Sequence, residues 1–164
     1  MKKMGWILLI GLLFITACEK ENVQKKEVNT SNEMIHEHCT RIGTIDSNST
    51  VDMNYELYYT GERINRIESI ESVTSTDSEV LDTYENAYRT IHSYYVDIDH
   101  YDTDLVRTET NVTSTMIIDY DHINIAQLVA LEGEEDNIFE NNVPMISKYR
   151  ELSKKMGITC EKVS

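Results

Sequence analysis

The sequence predicts an α+β domain: an antiparallel β-sheet with two amphipathic helices packed on one face, in the order β-β-β-α-β-β-α-β. Three observations carry that expectation. Val51, Met53, Tyr55, Leu57 and Tyr59 alternate with Asp52, Asn54 and Glu56, the period of a strand with one buried face. Val80, Leu81, Tyr84, Ala87, Tyr88, Ile91 and Tyr95 recur every three or four residues, the period of an amphipathic helix. Met145, Ile146, Tyr149, Leu152 and Met156 repeat that stripe towards the C-terminal end.

The elements follow in order. A first strand is expected around His38 to Asp46, and STVDMNYELYYT is the second. Thr60-Gly61-Glu62 makes a hairpin turn, and Arg63 to Thr76 returns as a long strand with room for a bulge. Thr76-Asp77-Ser78-Glu79 has the pattern of a capping box, in which a hydroxyl covers an orphan N–H and the glutamate reaches back. In the helix that follows, Glu85 and Arg89 form a favourable i,i+4 pair on the solvent side. VDIDHYDTD reads as a polar helix-to-strand loop. LVRTET and NVTSTMIIDY continue the antiparallel pairing, with Val112, Met116, Ile118 and Tyr120 on one face. Ile123 to Leu131 holds room for a short helix, and Glu132, Glu134, Glu135 and Asp136 form a charged loop. Asn142 or Val143 before Pro144 marks the next helix start, where the missing proline N–H costs nothing. Lys154 and Lys155 suit the C-terminal dipole of that helix, Gly157 is a good residue to end it, and ITCEKV closes the chain as a short strand.

Ahead of this domain stands MKKMGWILLIGLLFITACEK. Lys2 and Lys3 are a positive head and Met4 to Ala17 an apolar run of secretory-signal length, short of the about 20 residues that cross a bilayer. Ile15-Thr16-Ala17-Cys18 resembles the bacterial lipobox. That resemblance implies cleavage before Cys18 and acylation of its thiol with diacylglycerol, so that residues 1–17 are a lipoprotein signal peptide. An ordinary signal with a chance cysteine, or an uncleaved anchor, is the alternative. Residues 18–34 are then a lipidated cysteine and a polar tether, and residues 35–164 one globular domain. About 16 tether residues have an r.m.s. reach of about 20 to 24 Å, enough to hold the domain clear of the headgroups. Two or more acyl chains, palmitate among them, give a lasting anchor where one does not.

Cleavage at that point leaves 147 residues, enough for one domain with its own core. It also leaves 13 basic residues against all 29 acidic ones, a balance of −16. Such a charge repels phosphate backbones and anionic lipid, and argues against a nucleic-acid partner. Solubility accounts for it, and so does a taste for cations or basic partners. Trp6 and Phe14 would leave with the signal, so no tryptophan platform remains for stacking sugars.

Cys39 and Cys160 are the other two of the three cysteines and stand near the two ends of the domain. In an oxidising compartment a disulfide is expected, worth about 4 to 5 kcal/mol in the chain-entropy model for a loop of about 120 residues. Two free buried thiols, or a metal site of His36, His38 and Cys39, compete with it. His36 and His38 lie two residues apart and so on one face of any strand, which suits zinc. Asp97, Asp99, Asp102 and Asp104 are the densest carboxylate cluster and the candidate for a hard cation such as Ca²⁺. Their spacing misses the EF-hand loop: no glycine stands sixth and Thr108 replaces the closing glutamate. No phosphate-cradling glycine pattern, serine elbow or zinc-protease helix is present, so no catalytic residue and no cofactor is assigned.

The segments MNYELYYTGERINRIES, TETNVTSTMIIDYDHINIAQL and KKMGITCEKV, with the lipobox cysteine, resemble the YehR-like family of small bacterial lipoproteins over roughly residues 48 to 164. The family is a domain of unknown function. The resemblance implies an α+β fold and an extracytoplasmic location. It implies no substrate and no site residues, and because the cysteine pair is not a family trait, the disulfide rests on the argument above. The anchor, the tether, the −16 balance and the lack of catalytic motifs suit a lipid-anchored binding module that recruits an envelope partner or cation; a small extracytoplasmic enzyme or cation-binding protein using carboxylates or His36 and His38 is the alternative.

Overall fold

A computed structural model describes residues 33–131 and 138–163. The leader, Cys18, residues 18–32 of the tether, and the acidic loop at Glu132, Glu134, Glu135 and Asp136 lie outside the described residues. The elements run β1 (Met34–Asp46), β2 (Ser49–Thr60), β3 (Arg63–Ser75), α1 (Ser78–Tyr95), β4 (Tyr101–Arg107), β5 (Asn111–Asp119), α2 (Ile125–Val129), β6 (Phe139–Glu140), β7 (Val143–Pro144), α3 (Ile146–Met156) and β8 (Thr159–Lys162). The expected α+β order is present, with the short helix anticipated between Ile123 and Leu131 formed as α2 and a two-stranded hairpin added. A six-stranded sheet in the order β4-β5-β3-β2-β1-β8 is antiparallel at every pairing.

Strand alternation sorts the sheet into two faces. On the inner face of β2 lie Val51, Met53, Tyr55, Leu57 and Tyr59, opposite Gly43, Arg41, Cys39, Glu37 and Ile35 of β1. A bulge between Tyr58 and Tyr59 lets Tyr58 pair with Arg66 and Tyr59 with Ile64, so Asn65 is the extra residue. That slip keeps Ile64 fully buried beside Tyr59 while Arg66 points the other way.

Both long helices rest on the inner face, at different ends of it. Leu81 and Tyr88 of α1 close over Val51, Val73 and Val112. Ile146 and Tyr149 of α3, Leu128 of α2, and Phe139 close over Cys39, Leu57, Ile64 and Ile67. Each fully buried aliphatic side chain here contributes about 1.5 to 3 kcal/mol.

Four local expectations are corrected. The cap of α1 is Asp77, whose carboxylate accepts from the Glu79 N–H at 2.9 Å, and not Thr76; Ser75 Oγ in turn accepts the Asp77 N–H, which seats the aspartate at the helix mouth. Pro144 precedes α3 without opening it. Met145 N–H donates to the Ile138 carbonyl and Ile146 N–H to the Glu62 carbonyl, holding this stretch extended, and the helix begins at Ile146. The first strand starts at Met34, four residues before His38, because β2 continues to Thr60 and offers it a partner. The second half of VDIDHYDTD is strand: Asp102 and Asp104 pair with Ile117 and Thr115 in β4–β5. Gly157 ends α3 at φ 72°, the left-handed conformation anticipated there.

β8 lies antiparallel to β1, with Cys160 directly opposite Cys39, and the two are joined by a disulfide. This excludes free thiols. It also excludes a His36–His38–Cys39 metal site, since Cys39 points into the core and the two histidines point away from it. Reduction, or Cys39→Ala with Cys160→Ala, is expected to lower unfolding stability by about 4 to 5 kcal/mol. Denaturant melts with and without reductant measure this; coincident midpoints would refute it.

Candidate functional site

Three polar networks stand out from the core, two on the inner face of the sheet and one on the outer. The first fills the seam between the helix-covered ends. The Tyr55 hydroxyl donates to Glu71 Oε1 at 2.5 Å, and the Tyr88 hydroxyl reaches Glu71 Oε2 at 3.3 Å. Burial first, then the Glu71 charge and the hydrogen bond to it, push both phenols well above their ordinary value. Burial likewise pushes Tyr149 up to about 12. Tyr55 and Tyr88 are held as neutral donors to Glu71, which ties α1 to the sheet.

Beside the disulfide a second inner network forms on Glu37, which is 5% exposed. Its Oε1 accepts from the Tyr59 hydroxyl at 2.7 Å and from Arg150 Nη2 at 2.7 Å, and Arg150 also donates to the Tyr59 oxygen at 2.9 Å. Glu37 and the two joined cysteines are the described residues whose ligand atoms crowd closely enough for a metal ion, but both sulfurs are spent in the disulfide. The network ties β1 and β2 to α3.

The outer face is different, because among the described residues nothing packs on it and none of its side chains is buried. Register brings its groups into rows. One row runs His36–Tyr58–Arg66–Asp119 across β1, β2, β3 and β5, and the next runs Glu161–His38–Glu56–Glu68–Ile117–Asp102 from β8 to β4. His36 Nε2 donates to Glu56 Oε2 at 2.5 Å and His38 Nδ1 to Glu56 Oε1 at 2.7 Å. Burial opposes ionisation of Glu56, but the hydrogen bonds from the two histidines outweigh it and hold the carboxyl below its ordinary value. Tyr58 stacks on His36 with centroids 4.4 Å apart, which fixes that ring. Arg66 Nε lies 2.9 Å from Glu68.

At the end of the same rows is a cleft of about 410 Å³ lined by Met34, Tyr58, Asn65, Arg66, Glu68, Asp119, Asp121 and His122. Its floor is fixed by hydrogen bonds from Arg63 and Asn65 to Asp121, and by His122 Nδ1, 2.8 Å from Asp119. His100, held at φ 66° in the turn before β4, brings its ring to 5.4 Å from His122. Four of the five histidines thus gather at one end of the open face, while His92 lies on the inner side against Ser114.

The residues singled out in the sequence are distributed accordingly. His36 and His38 come together with Glu56, which the sequence pattern did not nominate. Asp102 and Asp104 lie on β4 of the open face, and Asp97 and Asp99 stay in the turn after α1; the four do not bring three ligand oxygens within 4.8 Å of one another. Cys39 and Cys160 are the staple, and Cys18 is outside the described residues. No described helix is long and apolar enough to cross a membrane.

No protein-family model matches the sequence, and no curated protein does. Among solved structures the fold is similar to that of Escherichia coli YehR, with a TM-score of 0.53 and 14% identity over 79% of this chain and 93% of that one. A protein from Streptococcus pneumoniae TIGR4 is also similar, with a TM-score of 0.47 and 14% identity over 98% of both chains. The chain has a YehR-like fold. At this identity the likeness is one of fold alone.

The tyrosine seam makes a testable statement about alkali. A phenol whose folded value lies above its unfolded value of about 10 contributes stability that is complete below pH about 10 and is lost as pH rises through the folded value. Absorbance at 295 nm is expected to show Tyr55, Tyr88 and Tyr149 ionising only as circular dichroism reports unfolding, at or above pH about 12, after the exposed tyrosines. If all ten tyrosines titrate together near pH 10 in folded protein, the seam is not closed as described.

Proposed function

We propose that this protein is a lipid-anchored, extracytoplasmic binding module that presents the open face of its sheet to a cationic partner in the cell envelope. One observation carries the reading: the uncovered face is acidic. Asp52, Glu56, Glu68, Asp102, Asp104, Asp119 and Glu161 all belong to it, against the guanidiniums of Arg66 and, at its end, Arg63. Charge of one sign over one face draws in opposite charge and speeds its encounter. Ile42, Ile70 and Val106, each at least 48% exposed, are spread among the carboxylates and supply apolar area for a partner to cover.

The anchor in this reading is Cys18, on the strength of the lipobox pattern. The polar tether enters the domain at Met34, which also lines the cleft, so the histidine-rich end is the end nearest the attachment point.

Two measurements test the halves separately. Cys18→Ala is expected to leave the fold intact while abolishing lipid labelling and moving the protein out of the membrane fraction; normal processing of that variant would refute the anchor. A photo-crosslinker at Tyr58 on intact cells is expected to trap a basic partner that one at Glu151, on the exposed side of α3, does not, and Glu68→Lys with Asp102→Lys should abolish the adduct. Equal capture from both positions, or none, would overturn the partner reading.

A further inference from the structure

We propose that Glu37, Cys39 and Cys160 form a zinc-class metal site when a dithiol reductant opens the disulfide. Their ligand atoms already lie within 4.8 Å of one another, the one such group of three among the described residues. Two thiolates and a carboxylate suit zinc, and the thiolates select against calcium and magnesium. The backbone holds the three in place without the bond: Glu37 and Cys39 share the inner face of β1 at a spacing of two, and Cys160 stands opposite Cys39 in the β1–β8 ladder. Once parted, the sulfurs need to reach only about 3.8 Å, the edge of a zinc tetrahedron with bonds of about 2.3 Å.

A path leads to the sulfurs. A cleft of about 500 Å³, with Glu37, Arg150, Lys154, Thr159 and Cys160 in its walls, opens beside the half-buried Cys160, while Cys39 is fully buried. A thiolate of the reductant therefore attacks Cys160 Sγ, the S–S bond breaks, and Cys39 Sγ leaves as a thiolate that takes up a proton. The second thiol of the reductant, as thiolate, displaces Cys160 and closes the reductant's own disulfide, so two electrons pass from the dithiol to the cystine. Binding of Zn²⁺ then expels the thiol protons to solvent and sets three negative ligands around a doubly positive ion. Arg150, 2.7 Å from Glu37 Oε1, carries the charge that balances the set. Both bonds of that network end on Oε1, so Oε2 can take the ion while Tyr59 and Arg150 stay in place. Three protein ligands leave a fourth position, which the cleft can supply with water.

The site lies on the inner face and is independent of the partner reading of the outer one. Its test uses the full chain carrying Cys18→Ser, so that Cys39 and Cys160 are its remaining cysteines, in detergent, reduced anaerobically with a phosphine and freed of it by gel filtration. Calorimetry is expected to show one equivalent of Zn²⁺ bound saturably by the reduced chain and none by the oxidised one. Zinc-edge X-ray absorption should count two sulfur ligands, with oxygen completing the shell. Glu37→Gln is expected to weaken binding at least about tenfold, since losing even an outer partner of a ligand costs that much. Because that variant also loosens the contact with Arg150, the denaturant midpoint of the chain with Glu37 intact is a second readout: it falls on reduction and rises again with Zn²⁺. His38→Ala, on the other face, should leave binding unchanged. A folded disulfide that the phosphine fails to open, no saturable binding by the reduced chain, equal binding by the oxidised chain, or binding undiminished by Cys160→Ser would each overturn the proposal.

Discussion

β8 is four residues long and lies at the edge of the sheet, where so short a strand would fray on its hydrogen bonds alone. The covalent bond from Cys160 to Cys39 keeps it in place, and much else depends on that placement. α3 descends into β8 through Gly157, so the staple also fixes the lower end of α3. Arg150, one turn into that helix, then meets Glu37 two residues from Cys39 on the same face of β1. A carboxylate at 5% exposure is tolerable only with such partners, because an unpaired buried charge costs several kcal/mol. Staple and clasp together hold Ile146, Tyr149 and Ile158 over Leu57 and Ile67, which closes the larger half of the core.

With every described helix drawn to the inner side, the outer side of the sheet is left uncovered by the described residues. Its composition reflects this: threonines, asparagines and carboxylates cover most positions, and exposed apolar residues are dispersed. The histidine-rich end is where that pattern changes. There the side chains bond to one another across strands, and the rows of ionisable groups terminate in a cleft instead of open surface.

Much of the architecture is legible in the sequence because period is a local property. The alternation through β2 and the stripes of α1 and α3 identify their own elements. Asp77 and Gly157 mark where two helices begin and end, although choosing Asp77 over Thr76 needs the Ser75 hydroxyl beneath it. Ile64, Ile67, Ile70 and Val73 are less transparent, since their spacing of three is helical. The bulge at Asn65 turns Ile64 inward, and Ile70 is 48% exposed on the outer face. The β6–β7 hairpin escapes the eye as well, for its turn is Asn141-Asn142, both at positive φ, without a glycine to announce it. The site is less legible than the fold. His36 and His38 share a face by spacing alone, but Glu56 joins them only through the register of β1 with β2, and register depends on the turn between strands, not on local pattern.

The same closure has a mechanical consequence. A pull on the chain ahead of Met34 enters the domain along β1, which between Glu37 and Thr40 has neighbours on both sides. Such a load acts along the strand and shears many hydrogen bonds at once instead of unzipping them singly. At Cys39 it meets a covalent bond and passes into β8 and on to α3. Force applied from the N-terminal side is therefore shared by the C-terminal elements before the central strands yield.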